Sequence, residues 1–322
     1  MLAVDNIELD IVEYCNLQCL QCSRSTFYTT GKTASYSPAQ LQVDVDILKN
    51  ILHSRILCIM GGEPLLSPEL NEYVRILKLS GIADRLHIFT NGLALQRITS
   101  STVSNIDGIF VSVYPLDEEK TKTIKQNIAW FRATYPAVKL VANYVPMFLK
   151  ANSVEKNSNS ALVSKIFSKC YAATSYSFHN GYLYRCAASR KKYDFLNNHR
   201  DVVVDDFEYL KDNAVDKLKI TTELTDATVT AFLKQTTPLE TCKWCLGCSG
   251  TPIQHTQIRD AKEDIATLQD LDFENSEQYI SNTIASWINA DPEQRRSPTD
   301  DKFFNPEHLK TYFRYARLAQ RW

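Results

Sequence analysis

The sequence has no run that would carry it across a bilayer. No stretch approaches the roughly 20 apolar residues that a membrane helix needs. The N-terminus, Met1-Leu2-Ala3-Val4-Asp5-Asn6-Ile7-Glu8, lacks a basic region followed by an apolar one, so no secretory signal is expected. A charge excess is missing as well. The 36 Lys and Arg against 37 Asp and Glu leave a net charge of −1, which gives no reason to expect nucleic acid or a membrane as partner. These absences point to the cytoplasm, where thiols stay reduced and structural disulfides are uncommon. Yet the chain has nine cysteines, unevenly placed: Cys15, Cys19 and Cys22, then Cys58 alone, then Cys170, Cys186, Cys242, Cys245 and Cys248. That split suggests two separate soft-metal sites. With 322 residues, 44% hydrophobic and 23% charged, the composition is that of a globular chain with ample core.

The stretch Cys15-Asn16-Leu17-Gln18-Cys19-Leu20-Gln21-Cys22 packs three cysteines into eight residues. Three thiolates at this spacing can hold three corners of a [4Fe–4S] cube and leave its fourth iron open to another molecule. A zinc site or a group of buried thiols is the alternative, but zinc wants a fourth tight ligand and the nearby stretch offers no His or further Cys.

Residues 6–13 alternate apolar with polar and read as a strand that delivers this loop at its C-terminal end. Ser37-Pro38 supplies an N-cap and an N1 proline, and Leu41, Val45, Leu48 and Leu52 follow at helical spacing. Ile56–Met60 is a continuous apolar run that suits a buried parallel strand. It ends in Gly61-Gly62-Glu63-Pro64, where two glycines allow close backbone approach to a ligand and Glu63 can accept hydrogen bonds from an ammonium group. A helix opening at Ser67-Pro68-Glu69, a strand at Leu86–Phe89 ending in Thr90-Asn91-Gly92, a strand at 109–114, a helix over 117–134 and a strand at 138–144 continue the alternation. Strand–helix alternation of this kind predicts an α/β fold of parallel βα units. A sixth strand is not evident between Tyr144 and Cys170, so five strands with a wide lateral opening are expected. His87 reads as a packed strand residue and Cys58 as a small hydrophobe within an apolar strand.

Cx3Cx2C after a first strand, followed by GGEP after the second, resembles the radical S-adenosylmethionine (SAM) superfamily. The resemblance implies a partial, open TIM-like barrel. It implies SAM chelated by the open iron, with Gly61, Gly62, Glu63 and Pro64 at its amino group and Asn91 and Ser112 near the bound cofactor. For Ser112, a hydroxyl bonded to its own backbone is the alternative. It also implies that an electron, from a donor such as flavodoxin or ferredoxin, splits SAM into methionine and a 5′-deoxyadenosyl radical that removes hydrogen from a substrate. One departure is Gln21, since the family often has an aromatic residue before the third cysteine. Adenine packing must then come from elsewhere.

Cys170 opens a second pattern. Ser175–Cys186 reads as a hairpin with Asn180-Gly181 as its turn, and Cys242-Lys-Trp-Cys245-Leu-Gly-Cys248 follows later. Four soft ligands of this kind suit structural zinc or a second cluster. The Cx10Gx4C spacing resembles the SPASM and twitch extensions of radical SAM enzymes, and five cysteines suffice for one auxiliary [4Fe–4S] cluster. Twitch analogy assigns Cys170, Cys186, Cys242 and Cys245 as its ligands. Cys248 is then spare, either a hydrogen donor to a substrate radical or a buried free thiol, though Cys245 with Cys248 could serve as the CxxC pair instead. His255 reads as a satisfied surface residue. The tail is helical over 276–289 and 305–321. The expected division is a radical SAM barrel (1–169), a twitch-like α+β unit (170–255) and a helical extension (256–322).

The first functional expectation is an oxidoreductase or epimerase acting on a polar small molecule such as a sugar or aminocyclitol, in a biosynthetic pathway. Strand one begins by residue 6, without room for an N-terminal peptide-recognition domain. A maturase of a ribosomally made peptide, by epimerisation or cross-linking, is the second reading. A non-catalytic Fe–S electron carrier is the third, and the GGEP motif counts against it.

Overall fold

The structure is a computed structural model and describes residues 1–26 and 36–289. The expected tail helix at 305–321 lies outside the described residues.

Five parallel strands alternate with helices: β1 (Leu2–Val12), α1 (Pro38–Leu48), β2 (Leu52–Gly61), α2 (Leu70–Ser80), β3 (Ala83–Thr90), α3 (Ser100–Val103), β4 (Gly108–Val113), α4 (Glu118–Thr134) and β5 (Lys139–Tyr144). The caps act as the sequence indicates. Ser37 accepts the Gln40 N–H with Pro38 in the first turn, and Asp117 accepts the Lys120 N–H at the start of α4. Leu52 leaves the helical pattern, because α1 ends at Leu48 and Leu52 is the first residue of β2. Each strand has two distinct faces. Ile7, Leu9 and Ile11 of β1, Leu57 and Ile59 of β2, Ile88 of β3 and Ile109 and Val111 of β4 pack against Leu41, Val45, Tyr73, Val74, Ile124 and Phe131 of the helices. The opposite face carries Ile56, Cys58, Met60, Phe89, Phe110 and Val141 as a second apolar cluster. Cys58 and His87 both sit on that face, buried and side by side in register, as expected of packed residues.

After β5 the chain forms β6 (Met147–Leu149), α5 (Ser160–Lys169), β7 (Tyr176–His179), β8 (Tyr182–Tyr184), α6 (Lys192–Asn198), β9 (Lys217–Lys219), α7 (Asp226–Leu233), β10 (Pro252–Gln254) and α8 (Phe273–Asn289). The 175–186 hairpin turns through Asn180 and Gly181, both at positive φ (47° and 78°), as that dipeptide favours. Its first strand, β7, pairs in parallel with β1 through Ile7 and Glu8. The main sheet is therefore eight-stranded, in the order β5-β4-β3-β2-β1-β7-β8-β9, and open rather than closed into a barrel. β7, the first strand of the hairpin that the sequence indicates, is a sixth parallel strand; its pairing at the β1 edge, rather than after β5, is what the sequence did not disclose. The hairpin is fixed there by α1: buried Asp44 accepts the Gly181 backbone N–H (2.8 Å) and the Gln40 side-chain amide (2.8 Å). The sheet thus runs across the expected boundary at 169/170. β6 pairs antiparallel with β10 in a separate two-stranded sheet. No helix among the described residues is long and apolar enough to cross a membrane.

Candidate cofactor site

The end of β2 is pressed onto the start of the cysteine loop. Gly62 N–H donates to Val12 O (2.9 Å) and Glu63 N–H to Tyr14 O (2.9 Å). A Cβ on Gly62 would lie 2.0 Å from Tyr14 O, and Gly61 adopts φ +142° with its would-be Cβ 2.4 Å from Val12 O, so side chains are excluded at both positions. Glu63 is fully buried and its carboxylate accepts three bonds: Thr90 Oγ1 (2.7 Å), Asn91 N–H (2.8 Å) and Leu65 N–H (3.1 Å). Burial lifts its pKa to about 7, against the pull of those donors. Pro64 opens the buried 3-10 turn Pro64–Leu66. Asn91, held by Glu63 through its backbone, turns its side-chain amide to Asn16 Oδ1 (2.7 Å) and to the Cys15 sulfur (3.7 Å). GGEP, TNG and the first cysteine therefore meet at one point. Ser112 stands near the end of β4 opposite Asn143, and its hydroxyl engages Tyr114.

Cys19 is buried, while Cys15 and Cys22 are half-buried. Desolvation pushes the Cys15 thiol up to about 12 and raises Cys19 and Cys22 as well, and each sulfur as thiolate would repel its neighbours. Thiols in this state want a positive partner. Cluster iron would supply one, so the donor set fits a cluster bound by these three corners. Among the described residues no three Cys, His, Asp or Glu side chains converge on a single-ion site. A cube takes its thiolates around separated corners rather than around one point, so the two observations agree.

A segment far along the chain completes the loop. Cys19 and Gln257 form an antiparallel bridge, flanked by Leu20 N–H to Thr256 O (2.9 Å) and Ile258 N–H to Gln18 O (2.8 Å). Gln21, in the left-handed region (φ 57°) and buried, gives its backbone N–H and its side-chain amide to Asp264 Oδ1 (2.8 and 2.7 Å). Its side-chain oxygen accepts both Ala151 and Asn152 N–H (2.8 Å each). The residue that replaces the family's aromatic is thus a clasp. His255 is buried, not at the surface. Its ring stacks on Tyr114 (centroids 4.5 Å, 8° between planes) and meets Phe148 edge-on (5.0 Å). The phenol of Tyr114 lies close enough to the three cysteines for their charge to add to burial in raising its pKa.

The second group brings Cys170, Cys186, Cys242, Cys245 and Cys248 together, while Cys58 stays apart in the sheet. Cys170 caps the end of α5, Cys186 follows the hairpin, and Cys242, Cys245 and Cys248 lie on two short 3-10 turns. The Cys170 and Cys248 sulfurs are 3.7 Å apart, and Cys248 packs with Leu149, Tyr279 and Ile280. That placement puts Cys248 inside the group as a competing ligand and lends its hydrogen-donor role no support. Burial and neighbouring thiolates raise Cys186 to about 12 and hold Cys242 well above its ordinary value. Two buried cations flank the group. Lys192 Nζ donates to Asn152 Oδ1 (2.8 Å), and its pKa is lowered by burial against the charge of Cys245, Cys186 and Cys242. Arg185 donates to backbone oxygens of Gln235 and Thr237, with Nε left unpartnered. Asn152 bridges to Cys245, so the Gln21 clasp stands one residue from each cysteine group.

Between the groups, β1 carries an alternating ladder of charge. Arg24, two residues past Cys22, pairs with Glu8 and Asp10, while Arg190, four past Cys186, pairs with Asp10 and Glu13, and Lys191 with Glu13. Burial alone would raise the Asp10 carboxyl, but the two guanidinium groups hold it below its ordinary value.

Residues 9–148 match the family model described as the Radical SAM superfamily. Over that segment, less than half of its length, the chain is similar to the radical SAM superfamily, and the likeness implies SAM and a [4Fe–4S] cluster. Among curated relatives, GTP 3′,8-cyclase 1 of Mycobacterium tuberculosis is 33% identical over 128 residues, 38% of this chain and 35% of that protein. GTP 3′,8-cyclase of Chlorobaculum tepidum is 32% identical over 122 residues, 38% and 36% of the two chains. The chain therefore spans little more than a third of these relatives' length. Among solved structures, native anSMEcpe with bound AdoMet aligns over 87% of this chain and 96% of its own at 12% identity (TM-score 0.45). BtrN in complex with AdoMet and 2-DOIA aligns over 76% and 94% at 16% identity (TM-score 0.38). Streptococcus suis SuiB bound to precursor peptide SuiA aligns over 44% and 33% at 17% identity (TM-score 0.35). At these TM-scores the likenesses settle neither the details of the fold nor the substrate.

Proposed function

We propose that the chain cleaves SAM reductively and removes hydrogen from a polar small molecule of the sugar or aminocyclitol kind, in an oxidation or an epimerisation. The observation that carries this reading is the meeting of Cys15, Glu63 and Asn91: a buried carboxylate holds the backbone of the residue whose amide touches the first thiol. Cys15, Cys19 and Cys22 would hold the cluster by three corners. Gly61, Gly62, Glu63 and Pro64 would seat the SAM amino group, with Asn91 and Ser112 beside it. When bound, the cluster supplies the electron that breaks SAM into methionine and the 5′-deoxyadenosyl radical. The residues around it orient the cofactor and keep water out. The Tyr114, His255 and Phe148 rings offer the flat apolar surface for adenine that Gln21 cannot provide.

Four of Cys170, Cys186, Cys242, Cys245 and Cys248 would bind an auxiliary [4Fe–4S] cluster in a twitch-like unit spanning roughly 170–255, between the barrel part (1–169) and the helical extension (256–322). Arg185 and Lys192 favour a negatively charged group there. The charged ladder on β1, reaching from Glu8 to Glu13, suits a substrate with hydroxyl or amino groups. A flavodoxin or ferredoxin would supply electrons. GTP, the substrate in the relatives' name, is the second reading.

The test is anaerobic reconstitution with SAM and dithionite. Release of 5′-deoxyadenosine is expected, with deuterium carried into it from a labelled sugar or aminocyclitol. No release sinks the enzyme class. Deuterium transfer from GTP or a peptide alone overturns the substrate class.

A further inference from the structure

Gln257 lies more than a hundred residues beyond the matched segment 9–148, yet its carboxamide is wedged into the first cysteine loop. Its Oε1 accepts the Gln18 backbone N–H at 2.7 Å. A backbone N–H can only donate, so the amide has one orientation. Nε2 then faces the Cys19 sulfur at 3.2 Å. The same nitrogen lies 3.3 Å from His255 Nε2, which as acceptor leaves the imidazole proton on Nδ1. Main-chain bonds on either side, Leu20 to Thr256 and Ile258 to Gln18, keep Gln257 opposite Cys19.

Resting on the reading that Cys15, Cys19 and Cys22 bind a cluster, we propose that Gln257 is a positioning residue that donates an N–H···S bond to Cys19 and so sets the reduction potential of that cluster. A donor on a cluster sulfur stabilises the reduced state, which carries more negative charge on its sulfurs, above the oxidised one. Removing the donor therefore makes the cluster harder to reduce. Gln257→Glu is the sharper variant, because it keeps the shape and the acceptor for Gln18 but removes the donor. Gln257→Leu removes both.

The experiment uses the full chain, reconstituted anaerobically, and follows the EPR signal that changes when SAM is added, which singles out the first cluster. In a redox titration the midpoint potential is expected to fall in both variants, with iron content and the SAM response retained. Pulsed EPR of wild-type protein labelled with 15N in glutamine side chains should show a nitrogen coupling to the reduced cluster, and this measurement stands even if a variant assembles poorly. An unshifted potential in Gln257→Glu, or no glutamine nitrogen coupling in the wild type, overturns the assignment. A wild-type chain with no SAM-responsive cluster would instead sink the underlying reading.

Discussion

The two cysteine groups deal with desolvated sulfur in opposite ways. Around the first, the donors are neutral: the Leu17 N–H on Cys15, the Asn91 amide and the Gln257 amide. Its buried carboxylate neighbours are Glu63 and Asp264, and the guanidinium beside it, Arg24, is engaged by Glu8 and Asp10. Around the second group stand Arg185 and Lys192, which donate to backbone and side-chain amide oxygens rather than to carboxylates. On the proposed reading, the second pocket is balanced for a closed, negatively charged centre, and the first is left for a ligand that brings an ammonium and a carboxylate of its own.

Breaking that contrast should have unequal effects. The largest is expected for Cys19→Ala, which should abolish 5′-deoxyadenosine release and lower iron from about eight to about four per chain, read by iron analysis. Cys242→Ala should also remove about four irons, but 5′-deoxyadenosine should still form when SAM and dithionite are supplied; its loss would show that the two groups do not act separately. Gln21→Ala strands the Ala151 and Asn152 N–H groups and leaves Asp264 without its donors. A loss of about 4 kcal/mol in a denaturant titration of metal-free protein is expected. Glu63 gives a pH signature of the order of 3 kcal/mol. Its pKa is raised from 4.5 to about 7, so the folded state holds this proton where the unfolded state has lost it. Metal-free protein should therefore lose stability as pH rises from 4.5 to 7, and Glu63→Gln should flatten that slope. The smallest effect is expected for Lys192→Met, a lowered potential of the second centre with SAM cleavage unchanged.

Much of the first site was legible because each of its parts ends a strand. Apolar runs at 56–60, 86–89 and 109–114 announce parallel strands, and glycines or cysteines mark where they stop. β7 was legible as half of a hairpin, but its pairing was hidden because the partner, β1, lies some 170 positions earlier. Gln21, Gln257 and Asp264 were hidden for another reason. A polar side chain gives no sign in sequence that it will be buried, and the bonds that clasp the loop join residues more than a hundred positions apart. His255 was misjudged by the same rule, since a polar stretch after a Gly-Thr-Pro turn reads as surface until Tyr114 covers it. The reading of Cys248 as spare came from twitch analogy, which cannot tell that its sulfur rests on Cys170.

The pairing of β7 with β1 has a practical consequence for anyone cutting or grafting this protein. A fragment ending at residue 169 would keep both conserved-looking motifs but bare one side of β1, presenting unpaired amide and carbonyl groups to any other strand in solution. Such a piece should self-associate on expression. A graft point beyond Lys219 spares that edge, because the flanking strands then travel with the strand they protect.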